Sequence, residues 1–146
     1  MKLCKVFITS ILAIVMLSNC SARQSEESVS VENQKVLIGQ WQVITIKRQN
    51  VIAQHSATLI FADDNTLMGT TGCNNFRTSF TQEDSKLTIA MAATTRKMCP
   101  GKLMAQESSF LQALANITHF KLNEHQLELL NKEGNTIFTA KKIYLK

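Results

Sequence analysis

The feature that most constrains this fold is an alternation of apolar and polar residues, repeated in short runs from Leu37 onward. Alternation with a period of two places apolar side chains on one face of a β-strand. Such runs are Phe76 to Phe80 and Leu127 to Leu129, and Trp41 to Ile46 is strand-like as well because it is rich in β-branched residues. Residues typical of turns separate them, as in Asp63-Asp64-Asn65. The pattern predicts about seven short strands.

Several local predictions follow the same pattern. In the first strand, the odd-numbered residues of 41–46 share one face and the even-numbered residues the other. Segments 57–61 and 66–69 are predicted to form a hairpin. Residues 82–85 are predicted to be a polar turn, and residues 91–101 an irregular segment. Three methionines are predicted to fill gaps in the core: Met91, Met98 and Met104.

One segment has a helical period instead. Leu103, Phe110, Leu114 and Ile117 fall on one stripe, which predicts a helix from Leu103 to Leu114. A single helix that interrupts antiparallel strands excludes a parallel α/β fold. The predicted class is α+β, mainly β. It consists of an antiparallel, strongly curved, barrel-like sheet of about seven strands with one α-helix packed against it.

Residues 1–19 are predicted to be a lipoprotein signal peptide, separate from the fold. Val6 to Leu17 is a twelve-residue run with two polar residues, preceded by two lysines. As a helix it would span about 18 Å, too short for a hydrocarbon core of roughly 30 Å. Leu17-Ser18-Asn19-Cys20 resembles a bacterial lipobox, in which the cysteine is acylated and becomes N-terminal. Ordinary secretory cleavage after Ala22 is the alternative.

Residues 20–35 are predicted to be a flexible tether, and residues 36–146 the folded domain. The segment from Ser21 to Lys35 has four serines, two valines and no aromatic residue. It buries too little apolar surface to offset the entropy of ordering it. Without Lys2 and Lys5 the formal charge falls from +5 to +3. Because the cations are scattered among acids, we expect no nucleic-acid partner.

Cys73 and Cys99 are the cysteines of the predicted domain. In an oxidising compartment, two such cysteines favour a structural disulfide. Two alternatives remain open from the sequence. The cysteines are buried free thiols, or they carry redox or nucleophilic chemistry, although no Cys-x-x-Cys motif is present.

Other residues that carry chemistry are sparse. The segment from Gly69 to Asn75 predicts a sharp backbone reversal, and its spacing matches neither common phosphate-binding fingerprint. His55, His119 and His125 are not at metal-ligand spacing with another His, Cys or acid. No close carboxylate pair lies on an apolar background. We therefore predict no catalytic residue, no metal and no cofactor.

Several pieces of the sequence, in this order, resemble the META (HslJ-like) domain family over residues 36–141. The matching pieces are Gly39-Gln40-Trp41, Leu59-Ile60-Phe61, the Gly-x-x-Gly-Cys-Asn signature from Gly69 to Asn74, Leu87 and Ile89, Thr94-Thr95 before Cys99, a helix with Glu107, Phe110 and Leu114, and closing strands around Leu127 and Leu129.

The resemblance implies a β-rich fold with a helix, an envelope location, and an association with stress tolerance or outer-membrane integrity. The family has no established catalytic site, so the resemblance supplies none. Its motif residues are expected to be structural: Trp41, Gly69, Gly72, Cys73, Asn74, Thr95 and Cys99.

The expected function is that of a non-enzymatic envelope lipoprotein that binds an envelope partner. Its expected location is the outer membrane, facing the periplasm and anchored through Cys20. Ser21 follows the anchor, whereas aspartate there typically signals inner-membrane retention in enteric bacteria. A soluble periplasmic location is the alternative. The alternative functions are binding of a small apolar ligand and, more remotely, cysteine-dependent thiol exchange or enzymatic activity.

Overall fold

The structure is a computed structural model that describes residues 36–144. The predicted signal peptide, Cys20 and the tether lie outside the described residues, and so do residues 145 and 146.

No helix among residues 36–144 has the length and apolar character needed to cross a membrane.

Ten strands and one helix form the described part of the chain. In chain order they are β1 Gly39–Ile46, β2 Gln49–Asn50, β3 Thr58–Phe61, β4 Thr66–Thr70, β5 Asn75–Glu83, β6 Lys86–Ile89, β7 Ala93–Thr94, α1 Gly101–Leu114, β8 His119–Asn123, β9 Gln126–Leu130 and β10 Thr136–Ile143.

Eight of the strands close into an antiparallel barrel. Their order is β10-β9-β8-β6-β5-β4-β3-β1, and β10 pairs with β1 to complete the circle. Two-residue strands extend the barrel where β2 pairs with β1 and β7 pairs with β5. Closure pairs the strand edges that an open sheet would leave exposed. The predicted class, a strongly curved antiparallel sheet with one packed helix, is confirmed.

A β-bulge in β1 changes which residues face the core. Trp41 and Val43 are buried as the alternation requires, but Ile46 is buried as well, whereas Ile44 is exposed. The register against β10 shifts between Val43 and Thr45. One extra residue on β1 reverses the alternation beyond that point. The prediction that Ile44 and Ile46 share a face was therefore wrong.

The core is filled by large side chains from both the barrel and the helix. Trp41, Phe61, Phe110 and Phe138 are among its largest fully buried residues. From the helix, the ring of Phe110 lies 5.2 Å from that of Phe76 on β5 and 5.1 Å from that of Phe138 on β10. The predicted helical stripe is buried as expected: Leu103, Phe110, Leu114 and Ile117.

The β3–β4 hairpin has the predicted turn. The backbone N–H of Thr66 donates to the carboxylate of Asp64 at 2.9 Å, and this hydrogen bond lowers the pKa of that carboxyl. The predicted turn at 82–85 was too long. Strand β5 continues through Gln82 and Glu83, and the reversal takes place at Asp84, which has a positive φ of 51°.

The prediction that three methionines fill the core was wrong. Met91 is 97% exposed, Met98 is 93% exposed, and Met104 is exposed as well. The segment that carries the first two is held through its backbone, since the N–H of Thr95 donates to the carbonyl of Asn75 at 3.0 Å. Because this bond is made by the backbone, it does not require the side chains of Met91 and Met98 to be buried.

Candidate functional site

The Gly-x-x-Gly-Cys-Asn signature forms the connection between β4 and β5 and is closed by its own polar groups. The N–H of Thr71 donates to the carbonyl of Asn74 at 2.8 Å. The hydroxyl of Thr71 accepts the N–H of Asn74 at 3.1 Å. The hydroxyl of Thr70 accepts the N–H of Gly72 at 3.1 Å. All three of these bonds lie within the loop itself.

Each glycine of the signature occupies a position with no room for a side chain. At Gly69, on β4, a β-carbon would collide with the carbonyl of Thr58 on β3. Gly72 has a φ of +99°, and a β-carbon there would lie 2.6 Å from the carbonyl oxygen of His55. The predicted reversal is therefore located at Gly72, whereas Gly69 belongs to a strand.

We expect Gly72→Ala to lower the free energy of unfolding by about 3 kcal/mol, because it combines a positive φ with a backbone clash. Gly134→Ala is the matched control, since Gly134 has a φ of +78° but open space around it. The control should lose only about 1 kcal/mol. Urea unfolding of both variants measures the difference. Equal losses would contradict the close packing around Gly72.

Asn74 is the centre of the site, because its buried amide connects three segments. Its Oδ1 accepts the hydroxyl of Thr95 and the N–H of Lys97, both at 2.7 Å. Its Nδ2 donates to the carboxylate of Glu107 at 2.9 Å and to the carbonyl of Lys97 at 3.2 Å. The side chain is 2% exposed. One amide therefore connects the signature loop, the segment after β7 and the helix.

Glu107 brings a carboxylate from the helix into this site. Its side chain is buried, and its Oε2 lies 3.1 Å from the hydroxyl of Thr71 and 2.9 Å from Nδ2 of Asn74. Among residues 36–144 the sole ion pair joins Lys132 and Glu133, so Glu107 is satisfied by neutral donors. We call Thr71, Asn74, Thr95 and Glu107 the polar cluster.

Gln106, the neighbour of Glu107, adds a second connection from the helix. Its Nε2 donates to the carbonyl of Thr71 at 2.8 Å, and its Oε1 accepts the N–H of Ile52 at 2.8 Å. The helix is thereby fastened to the signature loop and to the segment between β2 and β3. The sequence patterns did not identify Gln106, because it lies off the apolar stripe.

Cys73 and Cys99 form a disulfide beside the polar cluster, with their Cα atoms 6.1 Å apart. It joins the signature loop to the residue just before the N-cap of the helix, Pro100. The alternative of two buried free thiols is thereby excluded in this structure. The sulfur of Met104 lies 4.0 Å from that of Cys73.

Trp41 lies near the start of β1 and binds the chain just before that strand. It is fully buried, and its indole N–H donates to the carbonyl of Leu37 at 2.8 Å. The ammonium of Lys142, on β10, lies 5.0 Å from the centre of the indole ring. Trp41 therefore belongs to the hydrophobic core and offers no exposed face for a ligand.

The three histidines lie in separate places. His55 is exposed in the β2–β3 connection, His119 begins β8, and His125 lies in the β8–β9 turn. Nδ1 of His125 lies 2.8 Å from the hydroxyl of Tyr144. Within residues 36–144 no group of three or more His, Cys, Asp or Glu side chains has the arrangement of a metal site.

The signature loop, Thr95 and Glu107 therefore converge on one place through mutual hydrogen bonds, whereas Trp41 contacts Leu37 and Lys142 instead. Thr71, Asn74, Thr95 and Glu107 direct their polar atoms at one another, and the disulfide lies beside them. Such an arrangement can hold a helix against a barrel. The depressions found among the described residues lie at the surface. One of them, a groove of about 300 Å³, is lined only by apolar residues, including Met91, Leu111 and Leu114.

One comparison with known proteins identifies the type of domain. The family model for the META domain matches residues 34–143. Comparison with curated proteins gives no match.

Three solved structures share the fold. A Burkholderia xenovorans protein solved by NMR is 21% identical, with a TM-score of 0.62, covering 78% of this chain and 88% of its own. A second NMR structure is 19% identical, with a TM-score of 0.60, covering 75% and 93%. A crystal structure of a DUF4847 family protein from Bacteroides vulgatus is 14% identical, with a TM-score of 0.57, covering 79% and 99%. The shared fold makes up nearly the whole of each of those chains.

Proposed function

This chain belongs to the META domain family, and from that premise we propose that it is a non-enzymatic envelope lipoprotein. In this proposal Cys20 carries the lipid anchor, and residues 20–35 tether the domain to the outer membrane. The domain supports stress tolerance or outer-membrane integrity by binding an envelope partner.

The observation that carries the proposal is the disulfide between Cys73 and Cys99. Disulfides persist in oxidising compartments and are rare in the bacterial cytosol. An apolar run followed by Leu17-Ser18-Asn19-Cys20 supports the same export route. Both features favour a domain that matures outside the cytoplasm.

The polar cluster supports a structural rather than a catalytic use of the family motif. A catalytic acid or nucleophile needs access to a substrate. Glu107 is instead buried and occupied by Thr71 and Asn74. Cys73 and Cys99 are held in a disulfide, so neither supplies a thiolate in this oxidised state. A small apolar ligand has less support, because large core side chains such as Trp41 fill the barrel interior.

The anchor is tested by metabolic labelling and membrane fractionation. We expect Cys20→Ser to abolish incorporation of labelled palmitate and to remove the protein from the outer-membrane fraction. Ser21→Asp is the matched control, which should keep the label but move the protein to the inner membrane. Unchanged fractionation of the Cys20→Ser protein would contradict the anchor.

The envelope role is tested separately in a strain that lacks the gene. We expect lower survival under heat, detergent and hydrophobic antibiotics, restored by the wild-type gene and not by Cys20→Ser. Unchanged resistance of the deletion strain would contradict the integrity role without affecting the anchor.

A further inference from the structure

The segment that passes the disulfide combines cations with exposed methionines. We call residues 90–104 the rim segment. It contains three cations and three methionines and no acidic residue: Arg96, Lys97, Lys102, Met91, Met98 and Met104. All six of these side chains are exposed. The apolar residues are therefore displayed to solvent together with positive charge.

The charges of the rim segment are not neutralised by ion pairs. Within the described residues the sole ion pair, Lys132 with Glu133, involves none of them. The next acidic residue along the chain, Glu107, is buried and faces Thr71 and Asn74. The first turn of the helix, which contains Lys102, has no acidic residue.

The rim segment is also held in place. The amide of Asn74 binds both the N–H and the carbonyl of Lys97. The disulfide fixes Cys99, and the sulfur of Met104 lies 4.0 Å from Cys73. Lys97, Met98 and Met104 are thus grouped around the disulfide. A surface ordered in advance loses little conformational entropy when it binds.

We propose that the rim segment docks on the surface of an anionic phospholipid bilayer. Its cations match the negative surface potential, and each is expected to strengthen binding about fivefold. Exposed methionines supply apolar surface that enters the boundary between head groups and acyl chains. The inference that this bilayer is a membrane of the cell envelope rests on the proposed function.

The test uses residues 21–146, which lack Cys20, so the result does not depend on the lipid anchor. Sedimentation with phosphatidylcholine vesicles, with and without phosphatidylglycerol, measures binding. We expect binding only to vesicles with phosphatidylglycerol, weakened by added salt. The double variant Arg96→Gln/Lys97→Gln should bind about 30-fold more weakly. Met98→Gln should bind about fivefold more weakly, whereas Met98→Leu should bind like wild type.

Lys121→Gln/Lys141→Gln is the matched control, since it removes the same charge from exposed positions on β8 and β10. It should bind nearly as well as wild type. Absence of binding to phosphatidylglycerol vesicles would overturn the proposal, and so would an equal loss in the control. Thermal unfolding of each variant identifies any that fail to fold. Because the anchor is absent, either result leaves the Cys20 proposal unaffected.

Discussion

Asn74→Ala is expected to lower the free energy of unfolding by about 3 to 4 kcal/mol and the melting temperature by about 15 °C. The amide of Asn74 forms hydrogen bonds of 2.7 to 2.9 Å with Thr95, Lys97 and Glu107. Alanine would leave the N–H of Lys97 and the buried carboxylate of Glu107 without this partner. Leaving a buried polar group unsatisfied costs about 1 to 3 kcal/mol, and more when the group is charged. Thermal and urea unfolding measure the loss.

Two further variants isolate the cause. Asn75→Ala changes the adjacent, exposed residue and should cost less than about 0.5 kcal/mol. Asn74→Asp keeps the size of the side chain but places an oxygen where Nδ2 donates to Glu107. It should be destabilised as well. If Asn74→Asp were as stable as wild type, the bond to Glu107 would contribute nothing to stability.

Removing the disulfide is expected to have an effect of similar size. The double variant Cys73→Ser/Cys99→Ser opens a loop with a sequence separation of 26 residues. Loop-closure entropy predicts a loss of about 3.5 kcal/mol. That is a large share of the roughly 5 to 15 kcal/mol that stabilises a typical domain. The double variant avoids leaving a free thiol. Its thermal unfolding, compared with that of wild type, gives the loss.

Reductant provides the control for that prediction. It should lower the melting temperature of the wild-type domain and leave that of the double variant unchanged. A wild-type domain that is insensitive to reductant, with both thiols reactive toward an alkylating agent, would show that the bond does not form. That result would reopen the thiol-exchange alternative.

Local patterns predicted much of the fold. The alternation located most of the strands of the barrel, and the helical stripe located α1 to within two residues at its start. The bulge in β1 was not predictable, because it depends on pairing with β10, almost a hundred residues away. The methionines were misplaced for a related reason. An irregular segment has no period, so hydropathy alone does not show whether Met91 and Met98 are buried.

The site was predictable in part. The motif named Asn74 and Thr95 but gave no indication of which groups they bind, whereas a disulfide between Cys73 and Cys99 was the favoured prediction. One signal was present for Glu107, which lies on the apolar stripe between Leu103 and Phe110. An acid on such a stripe requires a buried donor. Asn74, that donor, is 33 residues earlier in the chain, and only the closed barrel brings the two together.

The rim segment is connected to the polar cluster through hydrogen bonds from Thr95 and Lys97 to Asn74. The amide of Asn74 binds the backbone of Lys97, and the disulfide fixes Cys99. The side chains of Lys97 and Met98 are exposed to solvent. A destabilised polar cluster should therefore also weaken docking on vesicles, even when the cations are intact.

The intact mass of the protein taken from native membranes, alkylated with and without prior reduction, tests most directly whether this is a lipid-anchored, disulfide-fastened domain. We predict a chain that begins at Cys20 and carries acyl groups, with Cys73 and Cys99 alkylated only after reduction. A chain that begins at Arg23, without acyl groups and with both thiols alkylated before reduction, would contradict the anchor and the disulfide together.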